Sequence, residues 1–190
     1  MPQVIAGPIV RKVTSTECHI WVVTSNADSP ALNLSANEVV VSGNCQRETI
    51  RVGKYAFIHL LSFTSSEPFE DTARIGYSLS FSDDAQQASW EDEQRGLLYD
   101  GQSSLCFHYT ETPETILHGS CRKPHFHSDD ALAQVDVLHK NAFKKQNDFP
   151  DLLLMTGDQI YADDVAGPML KAIHSVIDRL GLYHEALEGA

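Results

Sequence analysis

At 190 residues with 42% apolar side chains, the chain carries enough hydrophobic material for one ordinary core or two small ones. A net charge of −12, from 26 acidic against 14 basic residues, argues against a nucleic-acid backbone as partner, because phosphates are met by basic stripes. No window approaches the roughly 18 apolar residues of a membrane helix, and "MPQVIAGPIVRK" lacks the charged start and long apolar stretch of a secretion signal; the expected compartment is the cytoplasm, or the exterior if a leader has been removed.

From the N-terminus, short runs rich in Val, Ile, Thr, Tyr and Phe alternate with turn clusters: "GPIVRKVTSTECHIWVVTSNADSP", "ALNLSANEVVVSGN", "TIRVGKYAFIHLLSFTSSEP", "ARIGYSLSFSDD" and "SLCFHYTETP". Such spacing predicts a β-sandwich over residues 1–111. Within it Cys18, Ile20 and Val22 are expected to face one way and His19, Trp21 and Val23 the other. Residues 82–96, "SDDAQQASWEDEQRG", are polar and acidic and read as a solvated loop. Four cysteines, Cys18, Cys45, Cys106 and Cys121, lack the CxxC spacing of a zinc finger or redox pair, so reduced and mostly buried thiols are expected.

Beyond Pro113 the pattern becomes strand, helix, strand, helix. "TILHGS" reads as a short strand. Ser128 offers an N-cap, Asp129 and Asp130 suit the positive end of a helix dipole, and Lys140, Lys144 and Lys145 suit the negative end. Leu132, Val135, Leu138, Ala142 and Phe143 make an apolar stripe, so the spacing predicts a helix over 129–146. "DLLLMTG" is an unbroken apolar run, expected of a strand covered on both faces in a parallel sheet. A further helix is expected from about Pro168 to Gly181. Residues 112–190 therefore read as an incomplete α/β domain built on a right-handed βαβ unit.

In open α/β sheets chemistry gathers beyond the carboxyl ends of the strands. Two loops sit there: "GSCRKPHFH" and "GDQIYADD". Adjacent parallel strands would place Cys121 and Asp158 close together, with glycines letting the backbone turn and approach a ligand. Several residues keep two readings. Arg122 and Lys123 meet a substrate phosphate or balance nearby acids. His125 and His127 hold zinc or decorate a loop. Asp163 and Asp164 are a solvated turn or calcium ligands, without EF-hand spacing.

"HGSCRKP", followed about thirty residues later by "DLLLMTGDQIYADD", resembles the start of the catalytic domain of alkaline phosphatase D type metallophosphatases, relatives of the purple acid phosphatases. The upstream "AGPIVRKVTSTECHIWV" resembles the β-sandwich preceding that domain. The resemblance implies hydrolysis of phosphate esters at a multinuclear centre of iron(III) with calcium or another divalent ion. It implies Cys121 and Tyr161 as iron ligands and Asp158 as the bridging ligand. The chemistry is consistent: a carboxylate can bridge two hard cations, and a trivalent Lewis acid can hold as anions a phenol of pKa about 10 and a thiol near 8.5. Two metals roughly 3.5 to 4 Å apart clamp the two oxygens of an in-line displacement.

The family's later ligands stand in GN[HD] and GHxH segments, and neither follows Tyr161. The chain therefore reads as the N-terminal part of a longer hydrolase, inactive on its own toward phosphate esters. The sheet it leaves open would be covered by the missing part or by another chain. A non-catalytic β-sandwich binding module and a structural calcium- or zinc-binding domain are the alternatives.

Overall fold

Cys18, Ile20 and Val22 are fully buried and His19 and Trp21 between them half-buried, as the alternation predicts, but Val23, expected to face away with them, is buried as well. In the computed structural model, which describes residues 4–121, 127, 129–145, 149–159, 161 and 165–184, the fold is mostly antiparallel β-sheet with three helices. The chain divides into two units: residues 1–109 with 175–190, and residues 110–174.

Among the described residues the first unit holds eight strands: β1 (Val4–Val13), β2 (Glu17–Thr24), β3 (Ala31–Ala36), β4 (Val39–Val40), β5 (Gly43–Gly53), β6 (Ala56–Ser65), β7 (Arg74–Ser80) and β8 (Leu105–His108). They form two four-stranded sheets, ordered β1-β2-β6-β5 and β4-β3-β7-β8, and every pairing is antiparallel. Inward residues of both sheets, among them Ile20, Leu61, Phe63, Leu34 and Ile75, join one hydrophobic core.

Residues 82–96 are not the solvated loop their composition predicts. Asp84–Arg95 is a helix, α1. Asp83 caps it by accepting from the Gln86 backbone N–H at 2.9 Å, satisfying a donor that the first turn leaves unpaired. Trp90 supplies the driving force: it is fully buried in the core, edge-on to Phe81 with ring centroids 6.4 Å apart. One large aromatic ring is enough to hold down an otherwise polar helix.

The polypeptide returns to the first unit at its far end. Gly181, at φ +57, stops the preceding helix, with Leu182 N–H donating to Ile177 O and Gly181 N–H to Asp178 O, a Schellman cap. The turn after β5 then grips this segment. Lys54 N–H donates to Gly181 O, Tyr55 N–H to Leu180 O, and Tyr183 N–H to Val52 O, while Leu182 bridges Gly53 antiparallel. A Cβ on Gly181 would lie 2.8 Å from Lys54 Cβ, so the close approach also requires glycine.

In the second unit β9 (Ile116–Gly119) and β10 (Leu152–Met155) pair in parallel, from Ile116 opposite Leu152 to Gly119 opposite Met155. Helix α2 (Leu132–Lys145) lies between them in sequence. Asp130 supports its start: the carboxylate accepts from Leu132 N–H and the carbonyl from Ala133 N–H; the N-cap expected at Ser128 lies outside the described residues. Asp151 Oδ2 accepts from the backbone N–H of both Glu114 and Thr115 at 2.9 Å, tying the start of β10 to that of β9. Helix α3 (Gly167–Leu180) places Pro168 in its first turn, as expected.

Burial in this unit departs from expectation. Leu152, Leu153 and Leu154 are 39%, 40% and 39% exposed, so β10 is not covered on both faces. The physical reason is the size of the sheet: two strands with one intervening helix do not enclose two faces. Leu132 and Leu138 on the predicted stripe of α2 are also exposed, and Ala142 is its buried residue. Among the described residues no helix is long and apolar enough to cross a membrane.

Candidate functional site

β9 and β10 end level with one another, and Thr156 N–H donates to Gly119 O at 3.2 Å, continuing the pairing one step further. His118 Nε2 and Thr156 Oγ1, 2.6 Å apart, hydrogen-bond across the same boundary. The two loops that follow are therefore launched side by side. Ser120 and Cys121 belong to the first, and Gly157, Asp158, Gln159 and Tyr161 to the second.

The loops touch where Gly157 meets Cys121. A Cβ on Gly157 would collide with Ser120 Oγ and come within 2.9 Å of Cys121 N and 3.0 Å of Cys121 Sγ. The sequence suggested that these glycines let a ligand approach. At Gly157 the close neighbour is the other loop, and the missing side chain makes room for a thiol. Gln159 Nε2 donates to Gly157 O at 2.8 Å, closing the second loop on itself.

Cys121 is exposed and adopts φ +55, a left-handed conformation costing roughly 1–2 kcal/mol for a residue with a Cβ. Its Sγ lies 3.3 Å from Ser120 Oγ. The Ser120 hydroxyl, then the Tyr161 hydroxyl, hold its thiol below the ordinary range, with help from the Asp158 backbone N–H; the Asp158 carboxylate works the other way. Cys121, Asp158 and Tyr161, the three residues singled out as metal ligands, are thus neighbours around one sulfur. Arg122, Lys123, His125, Asp163 and Asp164 lie outside the described residues, so the substrate contact assigned to Arg122 does too. His127 is described and exposed.

Among the described residues no group of three or more His, Cys, Asp and Glu side chains is placed to hold a metal ion. The convergence at Cys121 is of a different composition: one thiol, one carboxylate and one phenol. The carboxylate and phenol suit a hard, highly charged cation, and such an ion would also keep a bound thiol deprotonated at neutral pH. The donor set fits part of the centre that the family resemblance implies. Ser120 escaped the sequence reading, although the small residue before the cysteine was the available signal.

A second constellation lies on the outer face of the first sheet. His19 Nδ1 is 3.0 Å from Ser62 Oγ, and His19 Nε2 is 3.6 Å from Glu17 Oε2. The order Ser, His, Glu invites comparison with a hydrolytic triad. However, Ser62 stands opposite His19 on β6, an interior strand paired on both sides. Its neighbouring backbone N–H groups are spent on the ladders and are not aimed at a tetrahedral oxyanion. These residues form a cross-strand polar row.

The four cysteines are free, and their environments separate them sharply. Burial, and then Cys45, push the Cys18 thiol up to about 12, leaving a thiolate fraction of ~10⁻⁵ at neutral pH. Iodoacetamide is expected to label Cys121 first and to spare Cys18 until the fold is lost. Peptide mass mapping over a time course checks this; native labelling of Cys18 at a rate near that of Cys121 would contradict it.

Comparisons with protein-family models, with curated proteins and with solved structures return no match for this chain.

Proposed function

We propose that the chain supplies the first ligands of a metal centre that hydrolyses phosphate esters, the activity implied by the GSCRKP and GDQIY motifs. The observation that carries this reading is the meeting of Cys121, Asp158 and Tyr161 at the carboxyl ends of two parallel strands, with Gly157 closing the approach. Under the same reading the two sheets around one core are a β-sandwich. β9, α2 and β10 are the opening βαβ unit of an α/β catalytic domain over residues 112–190.

Bound there, iron(III) with calcium or another divalent ion would supply a nucleophilic hydroxide and neutralise charge on the phosphoryl group. The chain's own residues do the holding. Cys121 and Tyr161 would provide anionic donors to the iron, and Asp158, with two carboxylate oxygens, would be the residue able to bridge. Ser120 orients Cys121 through its hydroxyl, and the β9–β10 register fixes the distance between the loops. Arg122, next along the first loop, is the candidate contact to the substrate phosphate.

Titration of the purified chain with iron(III) tests the ligand assignment directly. A phenolate on iron(III) gives a visible charge-transfer band, so colour is expected in the unaltered chain and not in Tyr161→Phe. Asp158→Asn is expected to weaken metal retention by at least about tenfold, since an amide is a poor anionic bridge. Full metal occupancy in Asp158→Asn by elemental analysis, or an unchanged band in Tyr161→Phe, removes that residue from the ligand set.

A further inference from the structure

A strand at the edge of a sheet carries a row of backbone donors and acceptors with no neighbour to use them, and folds differ in how they close it. In the first sheet β1 closes one edge with three register shifts and with Pro8, which has no N–H to offer. The other edge is β5. Its pairing with β6 runs without a shift from Gly43 opposite Ser65 to Arg51 opposite Phe57, and residues 46–51 are all exposed.

The phase of the ladder identifies the groups that β6 leaves unused. Just before β5, Ser66 N–H donates to Ser42 O at 2.8 Å in the same register, so the even-numbered residues from Asn44 to Ile50 exchange hydrogen bonds with β6. Cys45, Arg47, Thr49 and Arg51 therefore turn N–H and C=O outward. At one end this edge has already been extended: Leu182 bridges Gly53 antiparallel and Tyr183 N–H donates to Val52 O. Among the described residues that addition reaches no further than Val52, and no strand pairs with the outer side of Arg47, Thr49 or Arg51.

The side chains select what can follow. Arg47, Thr49 and Arg51 share one face of β5, and Glu48 and Ile50 the other. Among the described residues neither guanidinium has a carboxylate partner, in a chain with 26 acidic residues to 14 basic. Arg51 is held in place: its Nε donates to Gly53 O at 3.0 Å, and its Cζ lies 5.7 Å and 5.9 Å from the ring centroids of Phe57 and Tyr183. Its two terminal nitrogens are left for a carboxylate. On the opposite face Ile50 is 61% exposed. We propose that the outer edge of β5 receives an extended segment of a partner protein whose residues alternate acidic and apolar, the carboxylates meeting Arg47 and Arg51 and the apolar side chains covering Ile50. Main-chain bonds give such an addition its affinity, and the alternate side chains its selectivity. Charges on an edge deter indiscriminate pairing; two arginines turn away basic strands and admit acidic ones. A second copy of this chain fits poorly: two-fold pairing about Thr49 sets the copy's Arg51 against Arg47, and pairing about Arg47 or Glu48 sets that residue against itself.

A dye-labelled peptide of alternating Glu and Val, followed by fluorescence anisotropy, is the probe, and its Lys–Val counterpart is the control. Saturable binding of the Glu–Val peptide is expected, weakened about tenfold or more in the double variant Arg47→Glu, Arg51→Glu and at high salt. Methylating alternate backbone nitrogens of the peptide is expected to abolish binding in one phase and spare it in the other, because only one of its edges faces β5. Residue-resolved amide exchange shows where the peptide lies. The amides of Arg47, Thr49 and Arg51, fast in the free chain, are expected to slow about tenfold or more on binding, while those of Glu48 and Ile50, already bonded to β6, change little. No saturable binding, equal binding of the Lys–Val peptide, equal effects of the two methylation phases, or slowing elsewhere in place of these amides each overturns the proposal. So does a dimer in sedimentation whose exchange at the three amides is slow before any peptide is added. If the double variant does not fold by circular dichroism, the peptides and the exchange pattern of the unaltered chain decide the matter.

Discussion

Gly157→Ala is expected to abolish iron(III) uptake while leaving the first unit folded. The added methyl group meets Ser120 Oγ, which can rotate away, and also the Cys121 backbone nitrogen at 2.9 Å, which cannot. The loops must separate to relieve the second clash, and the Cys121 thiol then leaves Asp158 and Tyr161. Overpacking of this kind costs about 1–3 kcal/mol locally, too little to melt a separate core. Both tryptophans, Trp21 and Trp90, belong to the first unit, so a fluorescence melt follows that unit while a metal titration follows the site. Pairing the change with Ser120→Ala removes only the cheaper clash and is expected to restore little binding. Normal iron uptake by Gly157→Ala would mean that the loop contact does not organise the donors.

Trp90→Ala is expected to destabilise the first unit by about 3–5 kcal/mol, the range for emptying a large aromatic site. Trp90 is 1% exposed and packs among residues of both sheets, so no neighbour can collapse into the gap without leaving its own strand. Its ring N–H has no hydrogen-bond partner among the described residues, so Trp90→Phe forfeits area and no bond seen there, and should cost far less. Leu97, half exposed just beyond α1, is the control, with a change within about 0.5 kcal/mol on truncation. Urea denaturation followed by far-UV circular dichroism measures all three. A loss below about 1.5 kcal/mol for Trp90→Ala would show that α1 is an ornament on the sheets, contrary to the burial of its one aromatic ring.

How far the molecule could be read in advance depended on whether the signal was local. The alternation in β2 shows directly in the burial of residues 18–22, and α3 starts and stops where Pro168 and Gly181 place it, because these are properties of a few adjacent residues. α1 was hidden because its buried surface is one tryptophan in a polar run, too sparse for a periodic stripe. The available clues were the Asp83–Gln86 cap and the side-chain pairs Gln87–Glu91 and Ser89–Glu93. A run of leucines at 152–154 announces a strand but cannot say what lies against it. At the candidate site the pairing of loops followed from parallel strands, whereas the contact between Gly157 and Ser120 depends on register across the sheet, which no single segment encodes.

The grip of the Val52–Tyr55 turn on Leu180–Tyr183 has a consequence for synthesis. A chain emerging from the ribosome N-terminus first exposes all eight strands of the first unit long before residues 180–183 exist, so that unit waits with an open corner while the second is made. Its last contacts carry a large loop-closure entropy and form late. Nascent chains arrested before residue 180 should therefore display the β5–β6 turn to proteases and chaperones, and those arrested well beyond it should not.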